Sequence, residues 1–245
     1  MAAMRDTAAA IRFRGFPPSL TAVAELPAPT PNWATVDIDL PQKTTSRGRS
    51  LAQVASSGGR MSVVRLGIPM GTPPGTYAGN ISIAGGTRSA VFEVGSRIQL
   101  RVVPDTVRLE TNAGDQIDIT LTIVAVGNAP WELRPVEGLG LYKVDGVERA
   151  IGQAFIAELK RGERRIDRLA EELRAGHGGI MRVAIQDGAG TIGPGEARTV
   201  RARLHVPPRL RPGQRYLATW PFHDAQCRIE LSVRPARAGG KRRSS

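Results

Sequence analysis

Apolar and polar residues alternate at period two along much of this chain, as half-buried strands require, because successive side chains of a strand point to opposite faces. "VVRLGIP" (63–69) and "RARLHVP" (201–207) show it most plainly. "IRFRGF" (11–16), "ATVDIDL" (34–40), "NISIAGGTRSAVFEV" (80–94), "QIDITLTIVAVGNAPWEL" (116–133) and "ATWPFHDAQCRIELSV" (218–233) repeat it. The runs are short, and Gly, Pro and Asn separate them. Many short alternating strands with frequent turn residues predict an all-β fold of the sandwich kind.

The pattern is also written twice. "RLGIPMGTPPGTY" (65–77) is echoed by "RLHVPPRLRPGQRY" (203–216), so that Arg65, Leu66, Ile68, Pro69, Pro74, Gly75 and Tyr77 fall on Arg203, Leu204, Val206, Pro207, Pro212, Gly213 and Tyr216. In each copy prolines end a strand by removing ladder donors, and a Pro-Gly pair turns the chain into a strand headed by tyrosine. These tyrosines are expected to pack, with the hydroxyl hydrogen-bonded. The front halves align more loosely, 11–23 with 98–110 and 34–40 with 116–133. Copies this far apart predict two related domains instead of a solenoid. The expected organisation is a disordered N-terminus at 1–9, a first β-sandwich at 10–95 and a second at 98–233, followed by a basic tail at 234–245.

"VVPDTVRLETNAGDQIDITLTIVAVGNAPWELR" (102–134) resembles the opening of bacterial immunoglobulin-like modules, with its proline-bounded first strand, Gly-Asp turn, apolar strand and Asn-rich turn. "PPGTYAGNISI" (73–83) resembles their closing strands. The resemblance implies two immunoglobulin-like β-sandwich domains in tandem, and a role as a non-catalytic spacer or binding module.

One stretch breaks the period. In "DGVERAIGQAFIAELKRGERRIDRLAEELRAG" (145–176), Ile151, Phe155, Leu159, Gly162, Ile166, Leu169 and Leu173 recur at steps of four and three, the seam of an amphipathic helix. The second domain is therefore expected to carry an α-helical insertion over about 146–175. Asp145, with Glu148 three residues on, reads as its N-cap, and Gly176 as a left-handed C-cap. Gly152 and Gly162 each weaken a helix by about 1 kcal/mol relative to Ala, so a division near "KRGER" is expected. The stripe of Ile151, Phe155, Leu159, Ile166, Leu169 and Leu173 has two readings. It covers an open face or edge of the sheet, or it docks on a protein partner, either a groove or a second copy of the chain.

Composition changes the picture mainly through charge. Among 245 residues, 34 Lys and Arg stand against 22 Asp and Glu, a net charge of +12. Such a balance favours acidic partners. Nearly all the cations are Arg, however, with Lys only at 43, 143, 160 and 241, so codon bias gives the same balance with no partner at all. The cations that cluster are Arg234, Arg237, Lys241, Arg242 and Arg243, with Arg209, Arg211 and Arg215 in the second Pro-Gly loop. This set is the candidate for salt-dependent contact with a polyanion such as nucleic acid or an anionic surface.

Candidate chemistry is sparse. His177, His205 and His223 lack metal-ligand spacing, and the chain holds no P-loop, nucleophile elbow or zinc-protease motif. "QDGAGTIGPGE" (186–196) reads as a hairpin loop. Asp105, Asp115 and Asp118 stand where a sandwich end gathers acids, without the spacing of a calcium loop. Cys227, the single cysteine, sits in an alternating run and reads as core. Trp33 and Trp131 each follow a turn and are expected to pack on their sandwiches. No catalytic residue, metal or cofactor is therefore assigned. With no secretory h-region and no run of 18 apolar residues, the chain is expected to be cytoplasmic and without a membrane span. The functional expectation is a non-enzymatic structural or adaptor protein with a protein or homo-oligomeric partner, the alternative being polyanion binding.

Overall fold

The computed structural model describes residues 10–26, 32–38, 48–56, 61–83, 86–156, 158 and 164–235. Of the residues singled out above, 1–9, Leu159, Gly162, Arg237, Lys241, Arg242 and Arg243 lie outside that set.

The alternating runs are strands, and the apolar parity of each faces inward. In β5 (Met61–Gly67), Ser62, Val64 and Leu66 are buried while Met61, Arg65 and Gly67 are exposed. Each such strand contributes one row of branched or aromatic side chains to a core, and the hydrophobic effect fixes its register because a one-residue slip would invert every side chain.

The chain forms two compact units. The first contains β1 (Ile11–Phe16), β2 (Ser19–Glu25), β3 (Trp33–Ile38), β4 (Gly48–Ser56), β5, β6 (Gly75–Ile83) and β7 (Gly86–Val94), together with the later segments 125–131 and 193–196. Its strands close in the order β1-β2-β5-β4-β3-β6-β7, with β7 returning to pair in parallel with β1. Two separate sheets are what a sandwich pattern predicts; here β4 joins them. Its first half pairs with β3 and its second half with β5, so one nine-residue strand turns the corner. Phe13 and Phe92 stack at 4.9 Å in the centre, with Leu20, Val36, Leu66 and Ile81 around them. Gly79 in β6 is required there, because a Cβ would run into the carbonyl of Asp37 and the Phe92 ring.

In the second unit, β8 (Leu100–Val103), β9 (Thr106–Thr111), β10 (Gln116–Ala125), β12 (Val136–Lys143), β13 (His177–Asp187), β15 (Ala197–His205), β16 (Arg215–Phe222) and β17 (Ala225–Val233) form one sheet. The order is β8-β10-β15-β13-β12-β16-β17-β9, and β17 runs parallel to β9. A small pair, β11 (Trp131–Leu133) with β14 (Gly190–Ile192), lies beside the main sheet order. Trp220 and Phe222, 4.7 Å apart, anchor a core with Leu121, Leu141, Met181 and Ile229.

The two strand orders are the same once β8 is set aside, and they reassign the front halves of the repeat. By position β2 answers β10 and β3 answers β12, so the pairings of 11–23 with 98–110 and of 34–40 with 116–133 are each displaced by one strand. The back halves hold, with β5, β6 and β7 answering β15, β16 and β17. Tyr77 Oη donates to Pro73 O at 2.7 Å, and Tyr216 Oη accepts from Arg211 N–H at 3.1 Å, so both tyrosines brace their own Pro-Gly loop.

Between β12 and β13 the chain forms α1 (Gly146–Ile156) and α2 (Arg165–Gly176), divided around the stretch where Gly162 stands. Asp145 precedes α1 with φ +61, and its carbonyl accepts from Arg149 N–H at 2.9 Å. Gly176 is no left-handed cap. It is the last helical residue, and His177 continues directly in extended conformation into β13, its N–H closing on Arg174 O.

Trp33 corrects another expectation: it is 57% exposed. Ala34, Val36 and Ile38 hold the inward parity of β3, which leaves Trp33 on the outside.

Candidate functional site

The apolar stripe between β12 and β13 remains open to solvent. Inside the helix pair α1 turns its small residues, Ala150 and Ala154, one helical turn apart and both buried, while α2 has no buried residue. The large residues stay outside: Phe155 is 65% exposed and Ile166 61%, with Ile151 and Leu173 also exposed and Leu169 half-buried. Val147 and Ile156, outside the predicted stripe, extend the exposed set, Ile156 at 82%. The sheet-covering reading of the stripe is therefore not what the described residues do.

The polar side of the pair is satisfied internally. Arg165 reaches back to donate to Ala154 O at 3.2 Å and Phe155 O at 2.7 Å, supplying two of the carbonyls that the end of α1 leaves open. Its guanidinium lies 5.8 Å from the Phe155 ring centroid. Arg164 forks onto Asp167 at 3.0 and 3.1 Å, which holds that carboxyl below its ordinary value and raises the guanidinium. Arg168 pairs with Glu171 and Glu172 at 3.3 and 3.1 Å. Cations and acids of α2 thus neutralise one another along the helix.

The second Pro-Gly loop carries the other predicted set. Gly213 has φ +72, the left-handed conformation that suits glycine, and its N–H donates to Val233 O at 2.9 Å while Val233 N–H donates to Gln214 O at 2.9 Å. The loop is therefore tied to the residue from which the basic tail departs. Arg209, Arg211, Arg215 and Arg234 are all exposed. Arg234 lies close enough to Asp115 to lower its pKa slightly, and Arg215 reaches Glu230 at 3.8 Å.

Two residues that the sequence did not single out join this loop. Lys143, the last residue of β12, pairs in register with Tyr216, and Val144 N–H donates to Arg215 O at 3.0 Å. Arg149 stands in the first turn of α1. Lys143, Arg149 and Arg211 line a cavity of about 150 Å³ together with Glu172, and Lys143, Arg149 and Arg215 line an adjoining one of about 420 Å³ with Asp145 and Gln214. Nothing in the local pattern marks Lys143 or Arg149; strand pairing with β16 brings Lys143 to the loop, and the start of α1 brings Arg149.

The remaining candidates are held by local structure. Asp115 accepts from Asn112 N–H at 2.7 Å, from its amide at 3.0 Å and from the Thr111 hydroxyl, which lowers its pKa. Asp118 forks with Arg203 at 2.7 and 2.9 Å, and is likewise lowered. His177 lies edge-on to Tyr142 and its Nδ1 accepts from Gly179 N–H. Among the described residues no three His, Cys, Asp or Glu side chains are placed to hold a metal ion, and no helix is long and apolar enough to cross a membrane. Cys227 is fully buried, and that burial pushes its thiol up to about 11.

No family model and no curated protein matches the chain. Among solved structures, a protein of unknown function from Porphyromonas gingivalis W83 is 10% identical over 91% of this chain and 96% of its own, with a TM-score of 0.28. A titin A168–A169 structure is 11% identical over 91% and 94%, also with 0.28. The titin Z1Z2 domains in complex with telethonin are 13% identical over 89% of each chain, with 0.25. The titin structures are tandems of immunoglobulin domains, and at TM-scores of this size the likeness carries no argument.

Proposed function

We propose that this chain is a non-enzymatic structural or adaptor protein, built as two immunoglobulin-like β-sandwich domains, whose second domain docks a protein partner through an inserted helix pair. One observation carries the reading: large apolar side chains, Phe155, Ile156 and Ile166 foremost, are exposed on a helix pair in which Arg164 and Arg168 are already paired with Asp167, Glu171 and Glu172. Leaving such residues in water forgoes about 1.5–3 kcal/mol for each one that burial would gain, and a contiguous exposed apolar set is the surface a partner covers. The self-neutralised charge supports a protein surface over a polyanion as the occupant of this face.

The tie between the Pro-Gly loop and Val233 favours a second reading, contact with a polyanion, because it brings Arg211 and Arg215 to the root of the basic tail. One experiment separates the two. The full chain is used to capture partners from nuclease-treated extract of its own cells, at low and at high salt, beside the Ile166→Arg variant. The docking reading expects a defined protein that survives high salt and is lost from the variant. Retention of anionic species at low salt alone moves the function to the cations, and a variant that keeps every interaction refutes the helix pair as the docking surface.

A further inference from the structure

Four cations of the second unit, Lys143, Arg149, Arg211 and Arg215, converge on a cavity with two acids, Glu172 and Asp145, and we infer that this cavity binds a phosphorylated small molecule. Lys143, Arg149 and Arg211 come from three separate segments, the end of β12, the first turn of α1 and the loop before β16, and none forms an ion pair with a described residue. Glu172 is the acid in the smaller lobe, and it is already engaged by Arg168 at 3.1 Å. Three cations held together in this way repel one another. Arg149 in addition stands in the first turn of a helix, where the macrodipole disfavours a positive charge. An oxyanion placed among the three removes the repulsion and accepts charge-assisted hydrogen bonds from each.

The backbones that carry the cations are fixed. Arg211 N–H donates to the Tyr216 hydroxyl, Val144 N–H to Arg215 O, Gly213 N–H to Val233 O, and Arg149 N–H to Asp145 O. The backbone of the site is thus preorganised.

Size and lining divide the work between the lobes. At about 150 Å³ the smaller lobe is far below the volume of a pocket for a whole organic ligand and suits a phosphate group. The adjoining lobe, about 420 Å³, falls within the range for a small molecule, and it shares Lys143 and Arg149 with the first. There Asp145 offers an acceptor and Gln214 both an acceptor and a donor, which matches a hydroxyl-bearing remainder such as a sugar. Among the described residues no aromatic side chain lines either lobe, so a stacked base is not called for.

The test titrates the full chain with inorganic phosphate, with a hexose phosphate and with the unphosphorylated hexose, by calorimetry and by phosphorus NMR line width. The companions are Arg149→Gln, Arg211→Gln and a full-length variant with Gln at Arg237, Lys241, Arg242 and Arg243. Saturable binding of one hexose phosphate per chain, tighter than phosphate alone and absent for the bare hexose, is expected. Arg149→Gln and Arg211→Gln should each weaken it about tenfold, the loss of one charge-assisted hydrogen bond, and the tail variant should leave it unchanged. The site is overturned if no ligand saturates, or if binding survives both cavity substitutions and disappears with the tail cations. Equal affinity for phosphate and hexose phosphate overturns the assignment of the larger lobe.

Discussion

Asn128 is 2% exposed and its side chain makes three hydrogen bonds inside the first unit, and replacing it with alanine measures what a single amide contributes there. Its Nδ2 donates to Thr72 O and to Gly95 O, both at 2.9 Å, and its Oδ1 accepts from Arg97 N–H at 2.7 Å. Asn128→Ala leaves three main-chain groups without these partners. The Thr72 carbonyl, in a residue with no exposed surface, carries the full penalty of an unsatisfied buried group, about 1–3 kcal/mol. The other two bonds are part-buried, where water offers partial replacement, and each is worth about 0.5–1.5 kcal/mol. The expected loss is therefore about 2–6 kcal/mol, a large fraction of the stability of a unit of this size. Hydrogen exchange of peptides from β6 and β7 across a guanidinium series reads the first unit alone. Asn80→Ala, on the exposed face of β6, serves as the control and should move stability by no more than about 0.5 kcal/mol. If Asn128→Ala shifts the transition no more than Asn80→Ala does, the amide is not what satisfies these groups and the reasoning fails.

Two further outcomes follow from the second unit. Cys227, buried and with its thiol pushed up to about 11, should stay unreactive toward an aromatic disulfide at pH 8 and react only as the unit unfolds; prompt labelling of the native chain would contradict its burial. Asp115 is held below its ordinary 3.8, first by the Asn112 N–H, so its stabilising contribution is present above that value and is lost as pH falls through the lowered folded pKa. Acid unfolding of the wild type should then have a component that Asp115→Asn lacks, and a carboxyl titration by NMR with its midpoint at or above 3.8 would refute it.

How much of this was legible in the sequence depends on whether a feature is local. Alternation is local, so the strands were legible, and the back half of the repeat aligned correctly because Pro-Gly and Tyr stand at matching offsets within one loop. Pairing is not local. Nothing in 11–40 states that β2, and not β3, answers the long apolar strand β10, and the alignment therefore slipped by one strand. The helix seam marked a helical stretch but not its inner face, because buried alanines and not the large apolar residues are what α1 turns inward. Trp33 shows the same limit: its type suggested packing, while the parity of its neighbours decided that it faces water. Of the cations around the cavity, Arg211 and Arg215 were visible as a cluster, whereas Lys143 is brought to them by its ladder partner Tyr216, and Arg149 by the helix that follows.

The corner-turning strand β4 has a consequence for how the first unit meets other molecules. Because β4 pairs on both sides and β7 closes onto β1, each strand of the ring is flanked by two neighbours. Main-chain donors and acceptors over the paired stretches of this ring are already matched, so an incoming peptide finds no whole edge strand to extend. Recognition by this unit thereby falls mainly to side chains and loops, and the same closure withholds from it the open edge that templated stacking needs, whereas the sheet of the second unit ends in β8 and β9.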